Sequence, residues 1–176
     1  MRAKLIRQVY DLECHLFKCV NQHFDRKGLN AFFRTITHAG GATFTISMAL
    51  LFMFVMKDST KLIAYASAFS LAVSHIPVAI AKKLYPRKRP YLQLEHTKVL
   101  QNPLKDHSFP SGHTTAIFSF LTPFMIAYPL LMTVLLPLAV TVGLSRIYLG
   151  LHYPTDVLVG MLLGILSAVV SLHIFI

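Results

Sequence analysis

Tryptophan is absent from this chain, and cysteine nearly so. Cys14 and Cys19 fall five residues apart in a segment that reads as helix, which excludes a local disulfide framework, and no partner at zinc-like spacing accompanies them. Charge is scarce, at 14% of residues, and negative charge scarcer still: seven Asp and Glu stand against seventeen Lys and Arg, for a formal net charge of +10. So little charge in a chain that is 55% hydrophobic excludes an ordinary soluble domain and points to a membrane protein. With no tryptophan and no aromatics interleaved among the cations, the basic excess does not read as a nucleic-acid surface. Anionic lipid or an anionic substrate remains. The first residues do not read as a secretory signal either, because Asp11, Glu13 and Lys18 interrupt any apolar run.

What is present is helical periodicity. Across 3–24, Leu5, Val9, Leu12, Leu16 and Val20 recur at spacings of three and four, predicting an amphipathic helix too polar to cross a bilayer, which lies in the interface or packs along the bundle. Residues 29–36 form a second short candidate, and Gly40–Gly41 permit a close helix approach. Five apolar stretches follow, at 42–56, 62–81, from the HSFPSGHTT motif to about 128, 129–149 and 154–176, the first and third shorter than the roughly 20 residues a span needs. Pro77 and Pro137 are expected to kink their helices rather than end them. His75 is expected to bond a carbonyl freed by Pro77, and Gly160 and Gly164 to pack helices within the chain. The expected fold is all-α, an integral membrane helical bundle of about five transmembrane helices plus an N-terminal amphipathic interfacial helix. The expected organisation is one domain over 1–176, with 1–38 amphipathic and 42–176 the bundle.

With five spans, fifteen of the seventeen Lys and Arg fall on one side, and only Lys57 and Lys61 lie opposite. Three polar clusters share that basic side. Five cations stand between Lys82 and Arg89, too many for lipid, with Pro86 and Pro90 ending the helix. In HSFPSGHTT (107–115), Ser111 is a natural N-cap, Gly112 allows close backbone approach, and the helix mouth offers free amides to an anion beside His113. In SRIYLGLHYPTD (145–156), Arg146 closes one span, and Asp156 follows His152 by four residues, so the two can meet on a helical turn. A carboxylate on one imidazole nitrogen leaves the other as base or nucleophile. Guanidinium and ammonium groups from Lys82, Arg89 and Arg146 suit phosphate oxygens, and no carboxylate cluster stands ready for Mg²⁺. Asp106 and His107 read as solvated loop residues.

Lys82-x6-Arg89-Pro90, Pro110-Ser111-Gly112-His113 and Ser145-Arg146-x5-His152-x3-Asp156 resemble the three signature motifs of the type 2 phosphatidic acid phosphatase family, complete and in order over 82–156. The resemblance implies a metal-independent membrane enzyme without cofactor, acting on lipid phosphates or pyrophosphates. It implies His152 as nucleophile forming a phosphohistidine, Asp156 orienting it, and His113 as general acid. Lys82, Arg89, Ser111, Gly112 and Arg146 would hold the phosphoryl oxygens. The wording around SFPSGHTT and HYPTDV is similar to bacterial undecaprenyl pyrophosphate phosphatases, with phosphatidylglycerophosphate or phosphatidic acid as the other substrates. Phosphotransfer to a lipid or sugar, or lipid binding without catalysis, are the competing functions. The implied partners are the lipid substrate and the bilayer, with no obligate protein. The implied location is the bacterial cytoplasmic membrane with the active face outside, against the positive-inside count, which puts the basic side in the cytoplasm.

Overall fold

The computed structural model describes residues 2–103 and 105–176, and among these every regular element is helical. Helix α1 spans Arg2–Asn21 and α2 spans Lys27–Ile36. A 3₁₀ turn at Thr37–Gly40 leads into α3, Ala42–Val55. Then come α4 (Asp58–Leu84), a short 3₁₀ turn at Pro90–Leu92, α5 (Gly112–Ala127), α6 (Pro129–Tyr148) and α7 (Pro154–Phe175). The local chemistry agrees with these limits. Pro129 and Pro154 begin α6 and α7, where a missing N–H costs nothing. Asp58 opens α4 and Lys82 and Lys83 close it, matching the helix dipole at both ends.

The five apolar stretches all form helices, but they do not all reach membrane length. Three helices, α4, α6 and α7, are long and apolar enough to cross, and a fourth crossing exists if residues 27–40 and α3, bent by 51°, count as one. Helices α3 and α5 fall short of the five spans expected. At about 1.5 Å per residue, the 16 residues of α5 cover less than a bilayer core. Helix α5 is instead the centre of the bundle, buried along nearly its whole length and packed by α4, α6 and α7. Phe118, Phe120, Leu121 and Phe124 form the core with Leu71 and Val142. The chain is a multi-pass helical membrane protein.

Helix α7 approaches α5 closely through its two small residues. A Cβ on Gly160 would lie 2.7 Å from the Ser111 carbonyl oxygen, and one on Gly164 would lie 2.7 Å from that of Thr115. The G-x-x-x-G therefore packs within the chain, and it seats the α5 mouth against α7. Gly160→Val is expected to cost about 2 kcal/mol or more through overpacking, read as a lowered Tm in detergent. An unchanged melting curve would show that this contact is soft.

Two expectations change in detail. The Val9, Leu12 and Leu16 stripe of α1 is turned outward, and the face that packs on the protein carries Glu13, Phe17 and Asn21. His75 Nδ1 lies 2.7 Å from the Leu71 carbonyl, one turn earlier, rather than at Val73, whose carbonyl Pro77 leaves without a helical donor. The helix ends carrying the three motifs meet at one end of the bundle. Ser111 N–H donates to the Asp156 carbonyl (3.0 Å), and Ser108 N–H to that of Arg87 (2.9 Å).

Candidate active site

The centre of this end is Arg89, only 1% exposed. Its Nε donates to the Asp106 carbonyl (2.8 Å) and its Nη2 to Asp106 Oδ1 (2.7 Å). Its Nη1 donates to the Leu151 carbonyl (2.8 Å) and reaches His152 Nε2 at 3.2 Å. Because a guanidinium can only donate, His152 Nε2 is the acceptor and the ring proton sits on Nδ1. Nδ1 faces Asp156 Oδ2 at 3.7 Å, too long for a hydrogen bond, and it is a buried atom without a partner. Burial pushes the His152 imidazole down to about 4. The Asp156 carboxylate opposes that shift, and the Arg146 and Arg89 charges add to it. The ring is therefore neutral, with its Nε2 lone pair turned toward cations.

Asp156 is fully buried and heavily engaged. Oδ2 accepts from Ser108 Oγ and from the Tyr153 N–H (2.8 Å), and Oδ1 accepts from Arg87 Nη1 (2.9 Å). Arg87 also donates to Thr155 Oγ1 (2.8 Å) and pairs with Glu13 of α1. Arg146 donates from Nη1 to Thr37 Oγ1 (2.7 Å), and its Nε is buried without an acceptor. A guanidinium N–H left in that condition is suited to an incoming anionic oxygen.

The helix mouth completes the arrangement. Ser111 Oγ accepts from Thr114 Oγ1 (2.9 Å) and, at the long distance of 3.5 Å, from Thr114 N, leaving its own hydroxyl proton free to donate. The Gly112 and His113 amides, first in α5, have no helical acceptor. A Cβ at Gly112 would meet nothing within 4 Å beyond its own helix and chain neighbours, so open space lies beside this helix mouth. His113 is half-buried, and its Nε2 would lie 3.8 Å from a Cβ added to Gly41. Arg146, His152, His38 and Arg89 all lie within electrostatic reach of its ring.

Of the residues singled out in the sequence, His152, Arg89 and Asp156 thus meet directly, with Ser111 bonded to the Asp156 backbone. Lys82 joins through Asp106, which pairs with both Lys82 and Arg89. Burial would raise the Asp106 carboxyl, but the hydrogen bonds from Lys82 and Arg89 and their charges outweigh it and bring it down to about 2. Asp106 is no idle solvated loop residue, although His107 beside it is exposed. Sequence reasoning also missed Arg87, Ser108, Thr37 and Glu13. The signal for Glu13, as for Asp106, was scarcity, because three of the seven carboxylates, Glu13, Asp106 and Asp156, lie in this one network.

The profile of the PAP2 superfamily matches residues 62–176, which covers α4 to α7 and all three motifs. The chain belongs to the PAP2 superfamily. Its relatives include Escherichia coli YbjG, 38% identical over 101 residues, 57% of this chain and 50% of that protein. They also include the undecaprenyl-diphosphatase of Sulfolobus acidocaldarius, 30% identical over 127 residues, 72% of this chain and 60% of that one. The matched part of this PAP2 chain thus spans about half the length of these curated relatives. The crystal structure of Aquifex aeolicus LpxE superposes with a TM-score of 0.78 at 27% identity, covering 90% of this chain and 93% of that one.

Proposed function

We propose that this PAP2 chain hydrolyses a lipid phosphate or pyrophosphate without metal, through a phosphohistidine. The favoured reaction takes undecaprenyl pyrophosphate to undecaprenyl phosphate and inorganic phosphate. One observation carries the reading. The neutral Nε2 of His152 lies against Arg89, while the buried Arg146 Nε has no acceptor, so a nucleophile and unsatisfied phosphate donors share one place.

In this mechanism His152 Nε2 attacks phosphorus. Lys82, Arg89, Arg146, the Ser111 hydroxyl and the Gly112 amide take up the phosphoryl oxygens. His113 gives its proton to the leaving oxygen of the lipid. The imidazolium formed at His152 is stabilised by Asp156, closing its 3.7 Å gap as apo contacts tighten in a complex. Water then attacks the phosphohistidine and gives a proton to the deprotonated His113, breaking the P–N bond, releasing phosphate and returning His152 to neutrality.

The tail has a place to lie. An apolar groove of about 350 Å³ runs between α3 and α4, lined by Ala42, Ile46, Ala49, Ala68, Leu71 and Ala72. Its upper end at Ala42 adjoins Gly41, the neighbour of His113. We place the enzyme in the bacterial cytoplasmic membrane with this face outside, its loop cations serving the phosphate rather than setting topology. The name of the Sulfolobus relative favours a polyprenyl pyrophosphate.

Phosphate release by the purified protein in detergent with EDTA is expected from undecaprenyl pyrophosphate, faster than from phosphatidylglycerophosphate or phosphatidic acid. A reversed ranking would reassign the substrate. Phosphate passed only to added lipid or sugar acceptors would make the protein a phosphotransferase, and no turnover of any lipid would overturn the reading.

A further inference from the structure

Helix α1 lies outside the three motifs, yet it reaches the carboxylate behind the nucleophile. Its inward face places Tyr10, Glu13 and Phe17 over the segment between α6 and α7. The Tyr10 and Phe17 rings pack on Tyr153, with centroids 6.2 and 6.0 Å away, and the Arg87 guanidinium carbon lies 3.9 Å from the Tyr153 ring centroid. Tyr153 is the residue next to His152. Glu13 is 6% exposed and accepts from Arg87 through one oxygen and from the Thr155 hydroxyl through the other. Arg87 in turn donates to Asp156 and Thr155. Burial works against the charge of Arg87, but the Asp156 and Glu13 carboxylates outweigh it and hold the group above its ordinary value, so it stays cationic.

The charges in this chain alternate: carboxylate, guanidinium, carboxylate, imidazole. Arg87 alone would cancel Asp156 and leave the imidazolium formed at His152 without a counter-charge. With Glu13 added, the three groups sum to one net negative charge next to Nδ1. We propose that Glu13 is a positioning residue for phosphoryl transfer, which balances Arg87 so that Asp156 keeps its negative charge for His152. The inference rests on His152 being the nucleophile. It assigns to the amphipathic N-terminal helix a part in the chemistry besides its outward apolar stripe.

The test compares wild type with Glu13→Gln, Arg87→Met and the double variant, all full-length in detergent, on undecaprenyl pyrophosphate and on phosphatidic acid. Glu13→Gln is expected to lower kcat about tenfold with KM within about twofold, since the charge acts on the transition state rather than on binding. Glu13→Asp should recover part of the rate. His152 is faced by Arg89 from the loop, Arg146 from α6, His113 from α5 and Asp156 from α7, all unchanged in these variants. The acid limb of kcat/KM should therefore shift to lower pH in Glu13→Gln and to higher pH in Arg87→Met. In the double variant, whose net charge equals that of wild type, the limb should return and kcat should exceed that of Glu13→Gln. If Glu13 only glues α1 to the bundle, the acid limbs stay fixed and the double variant is the worst of the three. That result, or a Glu13→Gln rate within about twofold of wild type, overturns the inference while leaving the phosphatase reading intact. Wild-type protein inactive on both lipids would sink both.

Discussion

His152→Ala is expected to lower phosphate release on the order of 10⁴-fold or more, because the variant loses the atom to which phosphorus would be transferred in the proposed mechanism. Folding should survive. Among the described residues the His152 ring bonds only to Arg89, its backbone N–H keeps the Arg146 carbonyl, and Arg89 keeps its bonds to Asp106 and the Leu151 carbonyl. Reactions with ³²P-labelled lipid quenched in alkaline SDS should show a base-stable label that acid removes on wild type, and none on the variant. A variant that retained both turnover and label would move the nucleophile elsewhere. The same residue fixes one limb of the pH profile. Its pKa is lowered to about 4 from an ordinary 6.5, so the nucleophile is neutral from about pH 4 upward. Corrected for ionisation of the substrate, kcat/KM should rise with pH through about 4 and be flat above 5 as far as His152 is concerned. A limb near 6.5 would mean that burial and the flanking arginines do not act on this ring. The stability linkage has the same sign. Between about 4 and 6.5 the unfolded chain binds a proton that the folded ring refuses, so this contribution is complete above 6.5 and is lost as pH falls toward 4.

His113→Ala is the second large effect, about 10²- to 10⁴-fold in kcat, the usual worth of a positioned general acid. Its signature is dependence on the leaving group. A lipid monoester must expel an alkoxide and needs the proton. A lipid pyrophosphate expels a phosphate and needs it less, and an aryl phosphate with an acidic phenol hardly at all. The ratio of wild-type to variant kcat should fall in that order while KM changes little. An equal loss on all three would assign His113 to binding, alongside Arg146 and the α5 amides. The variant is a mild one structurally, since His113 is half-buried at the helix mouth and its backbone, which touches Gly40, is preserved.

Much of this fold and the candidate site was legible in the sequence because the signals were local. Continuous apolar runs marked every one of α3 to α7, and Ser111 and Pro154 marked where α5 and α7 begin. The three clusters converge because each sits at a helix end, and antiparallel helices bring alternate ends together. Span length was less legible, because an apolar run does not reveal that α5 would be enclosed by other helices instead of lipid. The roles of Glu13, Thr37 and Asp106 were hard to read for a different reason. Each acts through contacts distant in sequence, Glu13 to Arg87 and Thr155, Thr37 to Arg146, and Asp106 to Lys82 and Arg89, separated by as many as 142 residues. Periodicity carries no information about such pairings. The apolar stripe expected of α1 also concealed that a different face, with Glu13, Phe17 and Asn21, is the one that packs on the bundle.

Asp106 gives the phosphate cradle a tethered rival. Its carboxylate stays ionised at any pH above about 2 and holds the very cations, Lys82 and Arg89, that a phosphoryl group would claim. Substrate capture at those two residues is then an exchange of one anion for another, with little net change in charge. The same swap run backward helps expel inorganic phosphate, which would otherwise linger among several arginines and lysines. A site built to grip a phosphate strongly thus carries its own means of letting go.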